Sequence, residues 1–193
     1  DFGKIITTGE GGMIITNEYK LDKYSREYHD HGHENNPDLP RGKDSKTIYG
    51  FNYRMTEMQA AVGKVQLKRL SYILSQNKIR YQVLEENLGS MFNIRKIPKG
   101  SDPNYDTFIF FTESKADKNK YIKILNDEGI GTKNLPDAME WHCTAFWDHA
   151  LNNSQISHSR ITKELLDKTI AIPIWLRKNV DNYVELSKKI LDS

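Results

Sequence analysis

The sequence predicts an α/β chain, and three patterns carry that prediction. Two stretches of helical periodicity lie in the first half. A Thr-Phe-Ile-Phe-Phe-Thr run at 107–112 has the β-branched and aromatic content of a strand. From about residue 92, strands alternate with helices until a last helix over 180–191, the order expected of a small α/β domain.

In chain order, Ile5-Ile6 and Met13-Ile14-Ile15-Thr16 read as short strands around a turn, Thr7-Thr8-Gly9-Glu10-Gly11-Gly12. The glycines there permit positive φ and close approach by other backbone. Asn17 is placed to cap a helix carrying Leu21, Tyr24 and Tyr28 and ending near Gly32. Residues 34–48 are polar, with two prolines and Gly42, and read as a long loop of the kind that often serves function. Thr56 with Gln59 three residues later forms a capping box that opens a long helix. Met55, Met58, Val62, Val65, Ile73 and Leu74 recur near helical spacing, and the pattern runs on through Tyr81, Leu84 and Leu88 to Gly89.

Beyond that point, 93–97 and 132–135 are weaker strand candidates. Asp117 is placed to cap a helix reaching Glu128 and stopped by Gly129. A helix over 160–168, an apolar run at 170–175 and the last helix complete the chain, and no internal repeat is found.

Composition narrows the functional classes. Of 193 residues, 37% are hydrophobic and 28% charged, which places the chain among globular proteins rather than disordered ones. No apolar run approaches the roughly 20 residues of a membrane-spanning helix. The formal net charge is +2 with both signs interspersed, so no nucleic-acid partner is implied. A single cysteine, Cys143, excludes an internal disulfide and suits a reducing, cytoplasmic setting. It reads as a small buried residue rather than a nucleophile, although His142 adjoins it.

Lys4, just before the glycine-rich turn, is the first candidate for chemistry. A lysine that attacks a carbonyl needs partial burial, so that its ammonium loses its proton. Taken alone, a lysine is more often a solvated surface charge. His29, His31 and His33 alternate, which on a strand would present a metal trio. The helix predicted just before them favours a cluster at a helix end instead.

The strings around Lys4 and further along change the reading. Asp1-Phe2-Gly3-Lys4-Ile5-Ile6-Thr7-Thr8-Gly9-Glu10-Gly11-Gly12-Met13 resembles the lysine motif of the DegT/DnrJ/EryC1/StrS family of pyridoxal-phosphate sugar aminotransferases, in which a lysine precedes T-T-G-E-G-G-M. Tyr49-Gly50-Phe51-Asn52-Tyr53-Arg54-Met55-Thr56 is similar to the family's G-[YF]-N-[YF]-R-[ML]-[TS] motif, and Asp30-His31-Gly32 to the end of its R-D-H-G. The resemblance is good over residues 1 to about 75, and holds as a pattern beyond.

It implies the C-terminal part of a fold-type I transferase: the end of the large cofactor domain over 1–75, followed by a small α/β domain over 76–193. Most of the cofactor domain would then precede residue 1, consistent with a chain that opens inside an active-site strand without an initiator Met. It further implies a homodimer with active sites at the subunit interface, and pyridoxal 5′-phosphate as cofactor. Lys4 would hold that cofactor covalently, and Asn52 would reach across the dimer to its phosphate. The reaction implied is amino transfer from L-glutamate to a carbonyl sugar. A branch that dehydrates sugars has histidine in place of the lysine, and Lys4 argues against it.

The D-F-G-K string, the long loop before Tyr49, and the 134–149 stretch depart from the common family pattern. They resemble the subgroup that makes 8-amino-3,8-dideoxy-D-manno-octulosonate, so the implied acceptor is the acidic eight-carbon sugar with an aldehyde at C8. Such a substrate calls for a cation and an aromatic wall. Arg54 and Arg41 are the candidate cations, with Lys43 beside them, and Trp141 and His142 the candidate sugar contacts. Trp141, Phe146 and Trp147 are equally readable as core. Two other readings stay open: a transaminase of nucleotide-linked keto sugars, and a non-catalytic binding or dimerisation module.

Overall fold

A computed structural model describes residues 4–193. Asp1, Phe2 and Gly3, the start of the lysine motif, lie outside the described residues. The chain forms two compact units that meet in sequence between Leu70 and Ser71.

In the first unit the described regular structure is helical: α1 (Tyr19–His29) and the first part of α2 (Glu57–Leu88). Asn17 does not cap α1. The helix begins later, after Glu18, and the turn before it is closed by Thr16 Oγ1 accepting from the Glu18 N–H at 3.0 Å. Neither Ile5-Ile6 nor 13–16 forms a strand. A β-run becomes a strand only when another backbone pairs with it, and no described segment does so here; Met13, Ile14 and Ile15 are exposed. Residues 34–48 form a loop, as expected. The capping box at Thr56 is present: Gln59 Oε1 accepts from the Thr56 N–H (2.9 Å), and Thr56 Oγ1 accepts from the Gln59 N–H (3.3 Å). Met55, Met58, Val62 and Val65 are exposed, so the apolar stripe of early α2 is left without cover among the described residues.

The second unit has a three-stranded antiparallel sheet in the order β1 (Asn93–Ile94), β2 (Thr107–Phe111) and β3 (Thr169–Pro173). Phe108 and Phe110 face inward from β2, in the alternation a half-covered strand requires. β3 is buried at every position. The predicted strand at 132–135 contributes only two ladder bonds, Lys133 N–H to Ala171 O (2.9 Å) and Ala171 N–H to Leu135 O (3.2 Å). Asn134, at φ +65°, bends the backbone away from extended geometry before more can form.

Helices complete the core. The later turns of α2 bury Ile73, Asn77, Tyr81, Leu84 and Leu88, one stripe at helical spacing. Helix α3 (Lys115–Asp127) packs against β3 and the last helix. Its cap is Ser114, not Asp117; Asp117 occupies the third helical position and gives its N–H to Ser114 Oγ. Three short helices, α4 (Met139–His142), α5 (Asn153–Ser157) and α6 (Arg160–Asp167), precede β3. The closing helix α7 (Val180–Leu191) buries Tyr183, Leu186 and Ile190. Cys143 is buried and free.

Candidate active site

The glycine-rich turn and the two other motif segments of the first unit are tied together by contacts the sequence dictates. Gln59, which caps α2 with its carbonyl, gives its amide N–H to Glu10 O at 3.0 Å. The same side chain thus starts the helix and holds the turn that follows Lys4. Lys4 is exposed, whereas carbonyl chemistry calls for a partly buried amine; the described residues of this chain do not supply that burial.

The Gly50–Arg54 segment lies against the end of α1. Phe51 N–H donates to Tyr28 O (2.8 Å), His31 N–H to Phe51 O (3.0 Å) and Tyr53 N–H to His29 O (2.9 Å). Two glycines allow this approach. Gly32 is at φ +85°, and a Cβ there would stand 2.3 Å from Ile48 O. A Cβ on Gly50 would stand 2.6 Å from Gly32 N.

The last two of those bonds flank Asp30 and Asn52, which form an antiparallel bridge. Residues opposite each other in a non-hydrogen-bonded pair bring their side chains to one face. Period-two alternation then puts Phe51 and Tyr53 on one side, with Tyr28 at ring distances of 5.6 and 6.2 Å. Asn52 and Arg54 go to the other, with Asp30.

That second face is a charged cluster. Asp30 is only 5% exposed. Its Oδ1 accepts from Arg41 Nη2 at 2.7 Å and lies 3.4 Å from Arg54 Nε. Burial pushes the Asp30 carboxyl up, but Arg41 and Arg54 outweigh it and hold the group below its ordinary range. Arg54 Nε also donates to Asn52 Oδ1 at 3.1 Å. The Asn52 carbonyl is therefore engaged, on a residue that is itself exposed.

Of the residues singled out in the sequence, Asn52, Arg54 and Arg41 thus fall in one cluster. The two arginines spend part of their charge on Asp30. His142 and Trp141 belong to the second unit, at the end of α4. Trp141 is 78% exposed and so is not core, and its carbonyl accepts from Trp147 Nε1 at 3.1 Å. His29 and His33 turn to different partners, Arg26 O and Asp44, and among the described residues no three side chains gather in a metal-binding group. Asp30 is the member of this cluster that the sequence reading did not single out as a candidate. Its signal was its place in Asp30-His31-Gly32, two residues before a glycine forced to positive φ.

Residues 2–188 match the DegT/DnrJ/EryC1/StrS aminotransferase family. The chain belongs to that family.

Among curated members, it is 30% identical over 155 residues to the lipopolysaccharide biosynthesis protein RfbH of Salmonella typhimurium, covering 67% of this chain and 36% of the relative. It is 30% identical over 130 residues to the GDP-perosamine synthase of Escherichia coli O157:H7, covering 67% of this chain and 34% of that protein. In structure it resembles the aminotransferase from Psychrobacter cryohalolentis, with a TM-score of 0.74 at 20% identity over 98% of this chain and 53% of the other. The fold is therefore that of part of an aminotransferase, and the matched stretches span about a third of these curated relatives. No described helix is long and apolar enough to cross a membrane.

Proposed function

We propose that the protein of which this chain is a part is a pyridoxal-phosphate-dependent sugar aminotransferase, taking its amino group from L-glutamate. Family membership and the Lys4-to-Met13 string carry this reading. The donor set fits the cofactor: the primary amine of Lys4, once buried, suits its aldehyde, and the Asn52 amide NH₂ suits its phosphate without adding charge.

The cofactor would supply the electron sink on which an amine and a carbonyl exchange places. Lys4 would bind its aldehyde carbon and, once displaced by the incoming amine, carry the proton between the donor's Cα and the cofactor. Asn52 would donate to the phosphate, with Arg54 fixing the amide. The burial that Lys4 needs would come from the part of the protein this chain does not span or from a second subunit, in a homodimer with shared sites. A cytoplasmic location accords with a lone, unpaired Cys143.

For the acceptor we favour a nucleotide-linked keto sugar, because a 30%-identical relative is named for GDP-perosamine. The acidic eight-carbon acceptor keeps the support of the D-F-G-K string and the long loop. Its candidate cations, Arg41 and Arg54, are already drawn to Asp30. Side-by-side turnover of the full-length enzyme, with glutamate as donor, separates the two. Amination of a nucleotide-linked keto sugar alone supports the favoured acceptor, and amination of the eight-carbon aldehyde alone replaces it.

A further inference from the structure

We propose that Asp30 is a positioning residue for cofactor binding: through Arg54 it sets which end of the Asn52 amide faces the cofactor phosphate. The proposal rests on the reading of Asn52 given above.

A terminal amide has two ends of opposite character and a low barrier to exchanging them. Turned one way it offers two N–H donors to an anion; turned the other it offers a carbonyl oxygen, which repels one. Nothing in the Asn52 side chain itself decides. Arg54 decides, because a guanidinium has donors and no acceptor. With Nε 3.1 Å from Asn52 Oδ1, it holds the carbonyl inward and the NH₂ outward.

Arg54 needs an anchor of its own, since its side chain is 44% exposed and long. Asp30 provides it at 3.4 Å, from a position backbone pairing places opposite Asn52. The anchor is rigid. Asp30 is buried, Arg41 fixes Oδ1 at 2.7 Å, and Asn35 Nδ2 approaches Oδ2 at 3.5 Å. Asp30 itself would not touch the cofactor.

The test is binding rather than turnover. The full-length apoprotein and its variants are titrated with pyridoxal 5′-phosphate and, separately, with pyridoxal, which has the same aldehyde and no phosphate. Asp30→Asn is expected to weaken binding of the phosphate form by about three- to tenfold, the size of one hydrogen bond to a charged group lost in part. Pyridoxal binding should stay the same. Arg54→Gln, an exposed change that should spare the fold, is expected to give the same phosphate-selective loss, and serves if Asp30→Asn does not fold. Asn52→Ala is the reference. If Asn52→Ala is phosphate-selective and the Asp30 and Arg54 variants lose both ligands equally, the positioning role is wrong and the reading of Asn52 stands. Tighter phosphate binding in Asp30→Asn, from a released Arg54, also overturns it. If Asn52→Ala itself leaves phosphate binding unchanged, both fall together.

Discussion

The Cα of Gly50 is so close to the end of α1 that a methyl group on it would stand 2.3 Å from the carbonyl oxygen of Tyr28. Both atoms belong to backbone that is pinned by hydrogen bonds on either side, so neither can yield cheaply. Gly50→Ala is therefore expected to destabilise the first unit by about 1–3 kcal/mol, the usual cost of overpacking. It should also shift Asn52 from its place opposite Asp30. Thermal unfolding and cofactor titration check the two parts; a variant as stable as the parent would show that the segment lies less tightly against α1.

The start of α2 offers a milder test. Thr56→Ala removes the side-chain acceptor of the Gln59 N–H and should cost about 1 kcal/mol, as N-cap losses typically do. Gln59→Ala removes the reciprocal cap and the bond to Glu10 O, so it should loosen the glycine-rich turn as well. Faster proteolysis within residues 4–13 for Gln59→Ala than for Thr56→Ala is the expected readout. Equal rates would mean that the bond to Glu10 does not hold the turn.

In the second unit, Lys118 is buried with its ammonium donating to Leu166 O (3.3 Å) and Asp167 O (2.8 Å), where α6 ends. Burial lowers its pKa below the ordinary 10.5. Between that lowered value and 10.5 the unfolded chain binds more protons than the folded one, so this residue's contribution to stability rises with pH. Denaturant unfolding at several alkaline pH values should show the parent gaining on Lys118→Met as 10.5 is approached. A gap that is constant or narrows with pH contradicts the assignment.

Much of this was legible in the sequence where local rules decide. The capping box at Thr56 and Gln59, the helix over 180–191, and the stop at Gly129 follow from hydrogen-bonding groups and periodicity within a few residues. The central strand at 107–111 declared itself by composition. Misreadings arose where partners distant in sequence decide. Ile5-Ile6 and Met13 to Thr16 have strand composition but no described strand to pair with, and 132–135 turns at Asn134. Asp117 lost the cap of α3 to Ser114, three residues earlier, because either side chain has the chemistry and only the backbone path chooses. At the candidate site, Asn52 and Arg54 were found through a motif. The role proposed for Asp30 depends on a bridge between residues 30 and 52, and local spacing does not reveal such a pairing.

The central claim, that Lys4 is the residue that carries the cofactor, is tested most directly by trapping. The full-length protein is mixed with pyridoxal 5′-phosphate, reduced with borohydride, digested and mapped. The account predicts the label on the peptide containing Lys4, with no specific label and no transamination in Lys4→Ala. A label on another lysine, or transamination that survives in Lys4→Ala, would contradict it.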